Sequence, residues 1–202
     1  MGLFCGRNGA SLAAGPLSER CTRPRAAQGT LLRTALALGW DGVFLLPGCA
    51  DPFNDKSLKA SRGAAFKLSI GSGSLQDWQD VVRDNGLACV AAEPHKTSGG
   101  GRAGGGGRGE GLSPAEVLQR VSDARVSLVL GSEGQGLTQE VLEHCTLAVA
   151  IPMIGEMESL NVAAAGAILM FALSAGAPRL LGDLASGLQP VGAAAVANGS
   201  SR

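Results

Sequence analysis

Two segments in the C-terminal half of the chain carry the residue types best suited to ligand chemistry. Residues 128–137 form a short apolar run that ends in a glycine-rich turn with one embedded acid, Glu133. Residues 151–162 begin as an apolar run ending in proline and continue to a polar pair, Ser159 and Asn161, before an apolar stretch. Strand ends and helix starts of this kind expose backbone N–H and C=O groups to ligands in α/β proteins. We therefore expect both segments to line one cleft.

The elements that must position these segments alternate between helix and strand patterns. Apolar residues at helical spacing after Gly29 predict a first helix that ends at Gly39. Further helices are predicted at 51–59 with Asp51 as the cap, at 75–85, and from Ser159 to about Gly176. A capping box of Ser113 and Glu116 predicts a helix at 113–124, and Thr138 is predicted to cap a helix at 138–144. Strands are predicted at 43–46, 66–70, 87–92, 126–130 and 147–151. This alternation predicts an α/β domain with a mostly parallel sheet flanked by helices.

The composition supports a core and bears on the kind of partner. The 202 residues fit one domain, and 45% are apolar but only 3% aromatic, so Ala, Val and Leu must build the core. The formal net charge of zero argues against tight, sequence-independent binding of nucleic acid. Residues 1–70 nevertheless carry nine Lys and Arg against four Asp and Glu, which is compatible with a polyanionic partner.

The sequence disfavours several ligand and membrane classes. Its five cysteines are scattered, without a Cys-x-x-Cys pair or zinc spacing, so no metal site is expected. No apolar stretch reaches the length of a membrane span, which predicts a soluble protein. Residues 98–111 satisfy a Gly-x-Gly-x-x-Gly search, but no strand leads directly into them and no helix begins on the last glycine. They are predicted to be a flexible loop, not a dinucleotide site.

Both ends of the chain are predicted to lie outside the domain, which then covers residues 29–176. Residues 1–28 contain four arginines and one acid, a composition weakly similar to a chloroplast or mitochondrial transit peptide. A disordered N-terminus or a wrong start site is the alternative, and a cytoplasmic location stays open. Residues 177–202 are rich in Ala, Gly and Ser and are predicted to be disordered.

Three segments together resemble the signature motifs of one family. Residues 29–43, 128–137 and 151–162 resemble motifs of the SpoU/TrmH family, RNA 2′-O-ribose methyltransferases of the SPOUT superfamily. The resemblance implies a SPOUT-type α/β fold with a C-terminal trefoil knot and a homodimer. It also implies S-adenosylmethionine as the methyl donor and rRNA or tRNA as the substrate, with no metal ion.

The resemblance assigns donor-binding roles to particular positions. The positions expected to hold S-adenosylmethionine are Gly131, Gly136, Ile151, Met153 and Leu160. Backbone N–H and C=O groups can recognise an adenine edge, and a glycine lets the ligand approach closely.

Four side chains match the family's catalytic positions: Arg33, Glu133, Ser159 and Asn161. A guanidinium stays charged, so Arg33 is expected to hold a phosphate and stabilise the developing alkoxide rather than act as a base. Structural alternatives are a solvated charge for Arg33, a loop-ordering carboxylate for Glu133 and a helix cap for Ser159. Asn161 is predicted just inside the last helix, where Asn is unfavourable and its amide could orient a ribose or phosphate.

One part of the family pattern is missing. The family's first motif has an Asp-Pro-x-Asn run before the stretch that begins here at Gly29, and this chain has Ala27 where the Asn should fall. The prediction is therefore 2′-O-methylation of ribose in RNA, with a non-catalytic RNA-binding or dimerising relative as the alternative. A third hypothesis, an unrelated nucleotide-binding enzyme, would need a ligand in the loop at 99–111.

Overall fold

The computed structural model describes residues 13–14, 25–93, 112–121, 125–131, 136–157 and 159–174. Six helices are present there: α1 (Arg25–Ala37), α2 (Asp55–Ser61), α3 (Leu75–Asp84), α4 (Pro114–Arg120), α5 (Gln139–His144) and α6 (Val162–Leu173). The strands are β1 (Ala13–Ala14), β2 (Gly42–Leu45), β3 (Ser69–Ser72), β4 (Leu87–Ala92), β5 (Arg125–Leu130) and β6 (Leu147–Val149). A 3₁₀ turn spans Ala64–Phe66.

The strands pair in parallel throughout the described part, which confirms the predicted α/β class. Strands β1, β5, β4 and β6 lie in that order in one sheet, and β2 pairs with β3 in a second. Strand β4 is central, and it is mostly buried. This burial explains why its sequence is continuously apolar rather than alternating.

Helices α1 and α6 pack side by side across the core. A Cβ placed on Gly166 would lie 2.5 Å from a methyl carbon of Leu31 and 2.8 Å from one of Leu130, so α6 approaches both α1 and β5 closely. Further along, the Trp40 indole N–H donates a hydrogen bond of 3.2 Å to the carbonyl of Met170. The earlier residue of α1, Leu31, meets the earlier residue of α6, Gly166, and Trp40, which follows α1, meets the later Met170. Helices α1 and α6 therefore run in the same direction, with their N-terminal ends at the same end of the domain.

Local capping chemistry sets several helix boundaries. Ser113 caps α4 in a reciprocal capping box with Glu116, as the sequence predicts. The cap predicted at Asp51 is wrong, because Asn54 caps α2 by accepting hydrogen bonds from the amides of Lys56 and Ser57. Asp51 instead accepts from the Phe53 amide at 2.9 Å, which forms a turn before the helix.

Other boundaries move by a few residues. The first helix begins at Arg25, before Gly29, and the last begins at Val162 rather than Ser159. The strand predicted at 66–70 lies instead at Ser69–Ser72, because the preceding residues close a 3₁₀ turn after Gly63. Residues 98–111 and 177–202 lie outside the described residues. The trefoil knot stays a prediction.

Candidate active site

The carboxyl ends of β5, β4 and β6 meet at one edge of the larger sheet. Ala92 of β4 is level with Leu130 of β5 on one side and with Val149 of β6 on the other. Gly131 therefore leaves the sheet on one side of β4, and Ile151 follows the sheet on the other. Two strand spacings separate them, about 10 Å. The two segments singled out in the sequence thus leave the sheet at the same edge, on either side of β4.

Gly131 lies in a place that excludes any side chain. A Cβ at this position would lie 2.4 Å from the carbonyl carbon of Gly136 and 2.7 Å from its oxygen. Gly136 itself has a φ of +69°, which favours glycine. The backbones of Gly131 and Gly136 therefore touch beside the end of β5. Glu133, between them in the sequence, lies outside the described residues.

The segment after β6 has unpaired backbone groups at the same edge of the sheet. Residues 151–157 and 159–160 form neither helix nor strand, and in the described part of the chain their backbone makes no hydrogen bond with protein. Ile151 and Met153 are half-buried, whereas Leu160 is 40% exposed. Since protein backbone is usually paired, such a stretch has donors and acceptors available to a ligand.

Asn161 is the cap of α6. Its side-chain oxygen accepts a hydrogen bond of 2.8 Å from the Ala164 amide, so the cap role considered for Ser159 belongs to Asn161. The predicted position of Asn161 inside the helix is also wrong. Its side chain is exposed, and its Nδ2 donates no hydrogen bond to the described residues. The amide is therefore fixed by its oxygen and presents its N–H donors to solvent. Ser159 is exposed nearby.

Arg33 projects from α1 on the side away from α6. It follows Leu31 by two residues, about 200° around the helix. It shares a face instead with Gly29, where a Cβ would lie 2.3 Å from the backbone oxygen of Ser57 in α2. Arg33 is exposed. Arg33 therefore projects away from the helix that Asn161 caps, although the sequence groups the two residues together.

Gln28 is a buried polar residue that no sequence motif singles out. Its side chain is fully buried, and its Nε2 donates a hydrogen bond of 2.9 Å to the carbonyl of Ala50. Its Oε1 has no hydrogen-bond partner among the described residues. The only signal in the sequence is a glutamine in the first turn of an amphipathic helix, beside Ala27.

A second cleft opens at the carboxyl ends of β2 and β3. It has a volume of about 340 Å³ and is lined by residues 45–52 with Ser72 and Gly73. Ala50, the partner of Gln28, lies in its wall. The sequence does not predict this cleft, because it is formed by a loop that carries few polar side chains.

Metal and thiol chemistry find no support in the described part of the chain. No cluster of His, Cys, Asp and Glu suited to a metal ion occurs among those residues. The thiols of Cys89 and Cys145 lie 3.4 Å apart in the core. The hydrogen bond with Cys145, together with burial, raises the pKa of the Cys89 thiol. Cys89 is therefore a neutral thiol rather than a nucleophile. None of the described helices is both long enough and apolar enough to cross a membrane.

Comparisons with known proteins bear on the family and the fold of the chain. The chain is 34% identical over 145 residues to the 23S rRNA (guanosine(2553)-2′-O)-methyltransferase RlmP of Bacillus subtilis, covering 72% of this chain and 52% of that protein. An AdoMet-bound rRNA methyltransferase from Sinorhizobium meliloti has a similar structure, with a TM-score of 0.65 and 26% identity, over 87% of this chain and 57% of that one. A solved RNA 2′-O ribose methyltransferase matches with a TM-score of 0.59 and 26% identity, over 83% and 57% of the two chains.

The chain thus spans about half the length of the curated relatives it matches. The profile of the SpoU rRNA Methylase family matches residues 25–171, which contain both strand-end segments, Arg33 and the cap of α6. The chain belongs to the SpoU rRNA methylase family.

Proposed function

We propose that this chain transfers a methyl group from S-adenosylmethionine to the 2′-hydroxyl of a ribose in rRNA or tRNA. The observation that carries the proposal is the edge of the sheet between β5 and β6, where Gly131 approaches the backbone of Gly136 and the backbone after β6 is unpaired. We propose that the donor binds in a cleft at this edge, which we call the donor cleft. The relatives named above are methyltransferases of RNA, and one of them is an AdoMet-bound structure.

The residues around the cleft fit the donor. The contact between Gly131 and Gly136 leaves no room for a side chain, so a flat adenine could lie directly against the backbone. Across the cleft, the segment that begins at Ile151 supplies free N–H and C=O groups, and the half-buried Met153 adds apolar surface. Leu160 would close the rim on this side. Bound S-adenosylmethionine would supply an electrophilic methyl group.

The remaining residues would position and activate the ribose. Asn161 would donate its free Nδ2–H to a ribose or phosphate oxygen, since its Oδ1 is held by the helix cap. Arg33 would hold a phosphate and stabilise negative charge as the 2′-hydroxyl loses its proton. Ser159 and Glu133 are the two other candidates for this role. In-line methyl transfer then depends mainly on positioning and charge stabilisation.

We further propose that the working enzyme is a homodimer in which Arg33 of one copy completes the site of the other. Within one chain Arg33 faces away from α6, as described above. Large apolar side chains also remain exposed beside the donor cleft and on α6: Ile154, Met157, Leu160 and Ile168. Exposed apolar side chains grouped in this way are typical of an interface.

A titration and a transfer assay test the function. Calorimetric titration of S-adenosylmethionine should show binding to the wild type and to Arg33→Ala. Transfer of a tritiated methyl group to total RNA should be lost in Arg33→Ala and strongly reduced in Asn161→Ala. Donor binding by the wild type without transfer to any RNA would support the non-catalytic alternative suggested by Ala27. Absence of donor binding would contradict the proposed function.

Complementation tests the composite site. Equal amounts of Arg33→Ala and Asn161→Ala subunits, unfolded and refolded together, should recover about a quarter of wild-type transfer, because half of the dimers are mixed and each holds one intact site. Each variant refolded alone is the control. If the mixture stays as inactive as the separate variants, Arg33 acts within its own chain.

A further inference from the structure

Two exposed phenylalanines touch each other at the surface beside the second cleft. Phe53 is 46% exposed and Phe66 is 72% exposed, and their ring centroids lie 5.6 Å apart at an angle of 39°. The other described phenylalanines, Phe44 and Phe171, are buried or half-buried. A chain with so few aromatic residues thus leaves two of them in solvent at one place. We call Phe53 and Phe66 the aromatic platform.

The backbone holds the platform in a fixed arrangement. The turn that carries Phe53 is held by the hydrogen bond from its amide to Asp51 and by hydrogen bonds from Asn54 to the Asp51 carbonyl. On the other side, the Phe66 amide donates to the Gly63 carbonyl at 3.1 Å. Both rings therefore project from short, closed turns at the two ends of the α2 region, and their exposure does not depend on an open loop.

The surroundings of the platform are basic. Lys56 and Lys59 lie on the exposed face of α2, Arg62 follows the helix and Lys67 follows Phe66, and all four are exposed. Residues 51–67 hold these four cations against two acids, Asp51 and Asp55. Within the described residues, none of the four cations takes part in an ion pair.

We propose that the aromatic platform and its four cations are a docking site for an unpaired stretch of the substrate RNA, with a base stacked on Phe66. This inference rests on the proposed function. Bases stack on aromatic side chains when they are unpaired, and flanking cations hold the phosphates on either side. A protein partner fits less well, because protein interfaces are depleted in lysine and this surface is rich in it.

The site also lies on the appropriate side of the molecule. Helix α2 packs against α1 at Gly29, and Arg33 leaves α1 one turn later on the same face. A strand of RNA docked on α2 would therefore run on the side from which Arg33 projects. The four cations would add to Arg33 and give the otherwise neutral chain a local basic surface.

Substitution of Phe66 tests the stacking. Phe66→Ala and Phe66→Leu should each weaken binding of a short, unstructured fluorescent RNA about 5- to 150-fold, because a stacked base is lost. Phe66→Trp should bind as the wild type does, because it keeps an aromatic face. Fluorescence anisotropy measures the affinity, and a duplex of the same RNA should bind more weakly than the single strand and respond little to any of these variants. If Phe66→Leu binds the single strand as tightly as wild type, no base stacks there and the inference is overturned.

Charge removal gives a second, independent readout. Lys56→Gln with Lys59→Gln should lower the slope of log affinity against log salt by about 0.7 for each phosphate that is no longer neutralised. Arg120→Gln, on the exposed surface of α4, removes a charge elsewhere and should leave the slope unchanged. An equal change of slope in both would mean a diffuse charge effect and would overturn the inference.

Two controls separate this inference from the proposed function. Calorimetric binding of S-adenosylmethionine should be the same in all these variants, because the donor cleft lies at the ends of β5 and β6. Loss of donor binding in the wild type would contradict the proposed function, yet the RNA titrations would still report on the platform. If Phe66→Ala changes the sedimentation of the protein and not its RNA affinity, the platform is a contact between copies of the chain, and RNA docking is refuted.

Discussion

Replacing Gly131 by alanine should abolish tight donor binding while leaving the fold intact. The new Cβ would lie 2.4 Å from the Gly136 carbonyl carbon, whereas ordinary contacts begin at 3.4 Å, so the turn must move by about 1 Å. The obstructing atoms belong to backbone and cannot rotate away. A turn displaced that far no longer presents its backbone groups at hydrogen-bonding distance.

The size of the effect depends on how many hydrogen bonds the displaced turn fails to make with the donor. If two such backbone hydrogen bonds are broken, at about 1 kcal/mol each, the affinity falls about 30-fold. Calorimetric titration of S-adenosylmethionine measures this directly, and a thermal melt monitored by circular dichroism checks that the protein is folded.

Gly155 provides the matched control for this substitution. It lies on the opposite rim of the cleft, and a Cβ there would meet nothing within 4 Å. Gly155→Ala should therefore bind the donor nearly as the wild type does. Unchanged donor affinity in a folded Gly131→Ala protein would refute the argument that the glycine contact shapes the donor site. Equal losses in both variants would show a general sensitivity of the rim instead.

Three further predictions concern capping, packing and pH. Asn161→Asp should keep the cap of α6 but lose RNA methylation, because it removes the N–H donors, whereas Asn161→Ala should also lower the free energy of unfolding by about 1 kcal/mol in urea titrations. Gly29→Ala should lower the free energy of unfolding by about 1–3 kcal/mol, since the new Cβ would meet the backbone of α2. Gly166→Ala should lower the free energy of unfolding less, because the leucine methyl groups next to its new Cβ can rotate. Hydrogen bonds from Ser113 lower the pKa of Glu116 in the folded protein. The charged Glu116 carboxylate therefore stabilises the fold at pH values above its unfolded-state pKa, and this stabilisation is lost as the pH falls through the lower folded-state pKa. An NMR titration should show that pKa rising toward its ordinary value in Ser113→Ala, and an unchanged value would contradict the assignment.

Local patterns in the sequence predict those features that depend on neighbouring residues. The strand at 87–92, the capping box at Ser113 and the cap at Thr138 all lie where the sequence places them. Hydrogen bonds between residues three apart, or a continuous apolar run, determine each of these. The parallel sheet follows as well, because alternating strands and helices favour it.

Competition between adjacent candidates explains the boundaries that were wrong. Asp51 and Asn54 are both good caps, and so are Ser159 and Asn161, so composition alone does not choose between them. In each case the later residue caps the helix. Asp51 forms a turn of its own instead, and the described residues before Asn161, from Ile151 on, form neither helix nor strand.

Features that depend on packing between distant segments cannot be predicted from local patterns in the sequence. Burial of Gln28 requires the loop that carries Ala50, which lies 22 residues away. The direction of Arg33 depends on which face of α1 is covered by α2 and which by α6. Periodicity identifies α1 as amphipathic, yet it does not say which neighbour covers each part of its surface.

The orientation of α1 explains how the site divides into two halves. Leu31 is held between α6 and the core, so the helix cannot rotate to bring Arg33 toward Asn161 without exposing Leu31 to solvent. Full exposure of a buried leucine costs about 1.5–3 kcal/mol, which is a large share of the stability of a domain. In the proposed site, the donor cleft therefore forms within one chain, since strand ends and backbone build it. The proposed substrate half takes Arg33 from a second copy. This separation predicts that donor binding and RNA methylation respond to different substitutions, and it places the basic surface of α2 on the substrate half.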